Sequence, residues 1–160
     1  MGRFLLLDEV SSDTIRDVHA YWDRLRAGRR FPAKRDIDPS AIKSALPYVL
    51  IAEVQREPLR VRYRLVGTEA AHFAGEDFTG KYLHETGWGE DAEAIALYYV
   101  HMFQTGGPVY GVDYFTQVSD RQRKPFEWAI LPLAADGETI DHCLLVEDYG
   151  PLDRFEAPRR

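Results

Sequence analysis

Cysteine is nearly absent: Cys143 is the single one among 160 residues. An intramolecular disulfide is therefore excluded, and a structural zinc site, which needs several Cys and His ligands at set spacings, has no candidate set. Positive charge is in deficit. Twenty Lys and Arg stand against 26 Asp and Glu, giving a net charge of −6. No basic run is longer than two residues, as at Arg29-Arg30 and the terminal Arg159-Arg160, so no nucleic-acid partner is expected. Long apolar runs are missing too. None approaches the ~20 residues of a membrane span. Leu5-Leu6-Leu7 is followed at once by Asp8 and Glu9, unlike a secretory leader. Gly2 lacks the Ser or Thr four positions on that myristoylation uses. These absences set the expectation of a cytoplasmic chain without a membrane partner.

The motifs of common chemistries are missing as well. The glycines Gly67, Gly75 and Gly80 lack the G-x-G-x-x-G spacing that brings backbone N–H groups onto a pyrophosphate. Gly80-Lys81 is followed by Tyr82, not by the Ser or Thr of a P-loop. They read instead as turn points that need positive φ. The five histidines, His19, His72, His84, His101 and His142, show no H-E-x-x-H pattern, so no metal is expected. No G-x-S-x-G nucleophile elbow exists. Glu76-Asp77 and Glu147-Asp148 are adjacent carboxylates, which point apart and stay solvated. With no constellation assembled, the chain reads as a non-enzyme.

What is present is a globular composition: 45% hydrophobic, 12% aromatic and 29% charged. One domain of this size hides roughly two-thirds of its unfolded surface. Residues 12–28 read as a helix, with Ile15, Val18, Tyr21, Trp22 and Leu25 on one face and a capping box from Thr14 and Asp17. Asp38 caps a short helix that begins at Pro39 and ends at Pro47. Residues 48–54 form a strand, and 60–66 a second, with Val61, Tyr63 and Leu65 opposite Arg60, Arg62 and Arg64. That arginine face could attract an anion or an acidic partner, or could be a solvated face; acids of the first helix could pair with it if they cross it. Acids at Glu90, Asp91 and Glu93, then Gly106-Gly107-Pro108, bound the longest helix. Strands follow at 109–118, 124–133 and 139–149, the last two joined by the Asp136-Gly137 turn. The resulting fold class is α+β, a five-stranded antiparallel sheet with helices on one face plus an N-terminal helix. The division is residues 1–30 as a helical extension, 31–150 as the domain and 151–160 as a flexible tail.

This order of elements resembles the PAS fold. The corner "YRLVGTEAAHFAGEDFTGKYL" carries the likeness, with Gly75 closing a short helix and Asp77-Phe78-Thr79-Gly80 as the acidic loop. More narrowly, the chain is similar to an alphaproteobacterial PAS-like family known as a domain of unknown function. The shared pattern is Tyr21-Trp22, Leu25-Arg26, "PAKRDIDP" from Pro32 to Pro39, Leu46-Pro47, "YRLVGT" and "TGK" at Thr79 to Lys81. The likeness runs from about Tyr21 to Asp148, and is more specific in the first half. Ala33-Lys34 replaces the family's common Ser-Arg.

The resemblance implies a sensory or regulatory module that binds a small ligand or mediates dimerisation and contact with a signalling partner. Candidate pocket residues are Tyr63, His72, Trp88, Tyr98, Met102, Tyr114, Trp128 and His142, from aromatics that can line a cavity and polar tips that can orient a ligand. Candidate dimerisation residues are Ile15, Val18, Tyr21, Trp22 and Leu25, a stripe that must dock on its own domain or on a second copy; a homodimer is the expectation. No cofactor is expected. Haem would need an axial imidazole, with His72, His101 and His142 as candidates, and a flavin adduct would need a cysteine on the helical segment, whereas Cys143 is in the last strand. The alternative is a small enzyme on a cone-shaped α+β fold with a His and a carboxylate in one closed pocket. Two strands preceding the long helix speak against it.

Overall fold

The computed structural model describes residues 2–150; the expected tail at 151–160 lies outside them. Six strands form one antiparallel sheet: β1 (Arg3–Leu5), β2 (Val49–Gln55), β3 (Arg60–Val66), β4 (Val109–Thr116), β5 (Arg123–Leu133) and β6 (His142–Asp148), in the order β1-β4-β5-β6-β2-β3. The five expected strands are all present. The sixth, β1, pairs with the β4 edge through Arg3 to Leu5; its apolar residues are too few to show a strand period.

Both faces of the central strands are buried, which is why β5 reads as a nearly continuous apolar run. Phe126, Trp128 and Ile130 enter one core, while Ala129, Leu131 and Leu133 enter a second on the opposite face. The first core lies under α2 (Thr68–Ala74) and α3 (Glu90–Thr105), and the second under α1 (Asp13–Leu25). Helices thus cover two faces of the sheet, with α1 alone among the α-helices on the second.

The α1 sequence is amphipathic because its apolar residues recur at helical spacing. Ser12 is its N-cap, with Oγ accepting the Ile15 N–H at 3.0 Å; this replaces the expected Thr14–Asp17 box, because Thr14 is already the second residue of the helix. Ile15, Val18, Tyr21 and Trp22 are all buried, with Leu25 packed partly against them. Trp22 Nε1 donates to Pro132 O at 2.7 Å, and the Tyr21 hydroxyl accepts the Asp38 N–H at 2.8 Å. The stripe is therefore covered by the chain's own sheet, not by a second copy.

Two further local readings change. Pro39–Tyr48 is a 3-10 segment capped by Asp38, with a kink at Ile42 and Pro47 inside it rather than at its end. In β3 the strict alternation stops at a bulge. Ile51 pairs with Leu65 and Ala52 with Tyr63, so Arg64 is skipped. A bulge flips the parity beyond it, so Val66 packs inward in place of Leu65, which is 41% exposed. The turn reading of Gly75 holds: it caps α2 at φ 88°, a conformation that favours glycine.

Candidate functional site

The odd-numbered inward residues of β4 and β6, the even ones of β5, and the near sides of α2 and α3 enclose a cavity of about 40 Å³. Tyr63, Trp88, Tyr98 and Trp128, four of the sequence candidates, line it. Phe73, Phe78, Phe115 and Phe126 complete an aromatic wall. The rings meet edge to face, with Phe78 and Trp88 at 4.9 Å and Trp88 and Phe115 at 5.1 Å, while Tyr98 and Trp128 stack at 4.3 Å. Such offset and edge-on arrangements suit the ring quadrupole.

Three of the lining residues carry a buried polar tip with no partner among the described residues: Trp88 Nε1, Tyr98 OH and Trp128 Nε1. Buried polar groups almost always find one, and an unpaired donor costs about 1–3 kcal/mol. The Tyr99 hydroxyl, by contrast, donates to the Tyr63 hydroxyl at 3.3 Å. Burial raises the pKa of both phenols, so they remain neutral hydrogen-bonding groups.

Glu147 also lines the cavity and was expected to be solvated. It shares parity with Cys143 and Leu145, which face the same core, so β6 carries it inward. Tyr149 OH donates to its Oε1 at 2.6 Å. Desolvation by burial pushes its pKa up to about 7 against the lowering effect of that bond. The carboxyl therefore changes charge near neutrality at the edge of an apolar chamber. Only the strand period could have signalled this, because adjacent acids at a strand end look solvated in sequence.

The other candidates lie elsewhere. Met102 is fully buried beside Cys143, whose Sγ is 3.3 Å from the methionine sulfur, in the core next to the cavity. Tyr114 has the parity of Tyr110 and Val112, which pack on the α1 face, and points away from the chamber that Phe115 lines. His72 is exposed on α2 beside a separate surface hollow. His142 points to the α1 face of β6 and meets Asp141 at 2.8 Å and Glu53 at 4.0 Å. A His–carboxylate pair thus exists, but outside the closed pocket that the enzymatic alternative needs. Arg60 and Arg62 sit over the Tyr82 ring at 4.5 and 5.4 Å, and Arg62 Nε donates to Gly80 O at 3.2 Å. Their stems and charge serve the local corner, far from α1, which packs on β5 and β6.

The chamber does not fit haem or flavin. Its space is that of a few water molecules, and among the described residues neither an imidazole nor a thiol lines it. His101 is stacked on Phe4 at 4.1 Å. Among the described residues no group of three His, Cys, Asp or Glu could hold a metal ion, and no helix is long and apolar enough to cross a membrane.

Trp88 has a second side. Its ring is partly exposed and also bounds an outer groove of about 360 Å³ with Leu59, Val61, Leu83, Ala92 and Ala96, near His84 and Glu93.

A family model described as a PAS domain matches residues 10–145. No curated protein matches significantly. Among solved structures, the PAS domain of a protein from Colwellia psychrerythraea is similar at 11% identity and a TM-score of 0.49, covering 68% of this chain and 92% of that one. An RNA-binding light-oxygen-voltage receptor is similar at 13% identity and a TM-score of 0.48, covering 74% of this chain and 36% of that one.

Proposed function

The chain belongs to the PAS domain family, whose members are generally sensory and signalling modules, and we propose that it senses a small molecule in the chamber between sheet and α3. One observation carries this reading: three buried, unpaired polar tips, Trp88 Nε1, Tyr98 OH and Trp128 Nε1, belong to residues of a largely apolar lining. A small-molecule site combines just such an apolar lining with a few polar groups that fix orientation. Occupancy would alter the packing of α3 on the sheet, and a partner protein would read that change. The reading includes no catalysis by this domain and a cytoplasmic setting, which the single free thiol, Cys143, suits.

Homodimerisation stays part of the proposal through another surface, because the α1 stripe is occupied. Phe4 and Leu97 border one shallow hollow and are 44% and 64% exposed. A second copy would cover them. Sedimentation of the native protein and of Leu97→Lys tests this: a dimer that weakens in the variant supports it, and a monomeric native protein removes it.

The sensory reading is tested by native mass spectrometry and an absorption spectrum of freshly purified protein. A retained small molecule, released on denaturation, is the expected result. Protein purified without any, and unmoved by a broad metabolite panel in thermal-shift measurements, would leave a scaffold with a filled core.

A further inference from the structure

We propose that Trp88 is a gate between the inner chamber and the outer groove, and that its swing admits one elongated, uncharged ligand with a carbonyl-type acceptor at its buried end. This rests on the sensory reading above and specifies the ligand and its route.

The gate follows from position. Trp88 is the residue common to the linings of both spaces. Closed, the inner space of about 40 Å³ is smaller than any drug-sized ligand needs. With the indole aside, it joins a groove of about 360 Å³, within the ~300–1,000 Å³ range of ligand pockets. The backbone is arranged for such a swing. Gly87 and Gly89 flank Trp88 at φ 73° and 59°, and no atom lies within 4 Å of where a Cβ would stand on either. The glycines thus answer a backbone need rather than a packing one. The Trp88 carbonyl is held by the Asp91 N–H at 3.2 Å in the first turn of α3. The side chain can turn while its main chain stays tied down.

The ligand class follows from the polar tips. An indole N–H only donates, so the unpaired Nε1 of Trp128, which stays in place when the gate swings, calls for an acceptor. No Lys, Arg or His lines the inner chamber among the described residues, so a carboxylate or phosphate would enter without a counter-charge. A cation could meet Glu147, yet would leave the Trp128 donor unpaired. An uncharged acceptor answers both constraints. The groove beyond the gate is bounded mostly by apolar residues, Leu59, Val61, Leu83, Ala92 and Ala96, with His84 and Glu93 also on its lining, which suits an apolar tail.

Three probes separate these features: 4-butylacetophenone, butylbenzene without the acceptor, and 4-butylbenzoate with a charge. The readout is the indole N–H signals of the three tryptophans in nitrogen-15 spectra of the intact chain, assigned by Trp→Phe variants. Trp22 is the internal control, because its N–H is bonded to Pro132 O on the other face of the sheet. Addition of the acetophenone should move the Trp88 and Trp128 signals and leave Trp22 in place. Butylbenzene, and the benzoate at pH 8, should bind about tenfold more weakly or less, as unpaired buried groups predict. Trp88→Ala should bind the acetophenone about tenfold faster or more, with Trp88→Phe, closer in size, intermediate. Movement of Trp128 alone, with unchanged association in both variants, would overturn the gate. Equal affinity for butylbenzene, preference for the benzoate, or no binding by any probe would overturn the ligand class. A charged metabolite retained by the native protein would also overturn it, and would leave the sensory reading standing.

Discussion

Glu127 Oε1 accepts the backbone N–H of Ser12 at 2.7 Å, joining positions 115 residues apart in sequence. Its other oxygen accepts the Ser11 N–H and hydroxyl at 3.2 and 2.9 Å. A fully buried carboxylate on β5 thus receives the chain as it enters α1, where donors and the helix dipole both favour negative charge. It is the only acid among the large fully buried side chains of the described residues, and its bonds explain how a sheet can hold it there. Glu127→Ala should cost about 1–3 kcal/mol, the scale for leaving buried donors unsatisfied, and Glu127→Gln less. Urea unfolding followed by tryptophan fluorescence checks both; a native-like midpoint for the alanine variant would remove Glu127 as the anchor of α1.

Deleting residues 1–28 should destabilise the domain rather than only change its assembly. Leu131, Leu133, Leu144 and Val146 have no exposure while α1 is docked, and removing the helix uncovers them. The truncated chain should bind a hydrophobic dye and lose cooperative unfolding. A soluble truncation with a sharp transition would mean that the sheet can repack its second face unaided.

Glu147 predicts a pH dependence of stability. Its folded pKa, about 7, lies above its ordinary value of 4.5 because of desolvation. Between these values the unfolded chain releases the proton while the folded chain keeps it. Stability is therefore greatest below about pH 4.5 as far as this group is concerned, falls as pH rises to about 7, and levels off above. The fall is on the order of 1–2 kcal/mol, since Glu147 is not wholly shielded from water. Glu147→Gln should flatten that part of the profile, measured as urea midpoints between pH 5 and 8. An unchanged slope would place the titration elsewhere.

Gly111→Ala tests the wall of the chamber. A Cβ there would stand 2.4 Å from Trp128 Cζ2 and 2.9 Å from Arg3 O. The indole must shift or β1 must loosen, at a cost of about 1–3 kcal/mol for an overpacked site. A lowered melting temperature with a changed Trp128 indole N–H signal is the expected outcome.

Much of this architecture is written in local pattern. The strict period of Phe126, Trp128 and Ile130 sets which residues of β5 share a face, and the acids before Ile95 with Gly106 beyond Phe103 bound α3, because dihedral preferences and helix-end charge act over a few residues. The pattern of α1 likewise makes its apolar stripe unavoidable. What pattern leaves open is the partner of that stripe, since its own sheet and a second copy offer the same apolar surface to a helix. Tertiary packing chose the sheet, through the Trp22–Pro132 bond and the Glu127 anchor. The bulge at Arg64 is of the same kind: it depends on registering one strand against another, and a shift of one residue exchanges the two faces. The sequence by itself thus determined the elements and the aromatic supply. Only the closing of the sheet between two layers of helices decided which of those aromatics surround a chamber, and that three of them keep a buried polar tip without a protein partner.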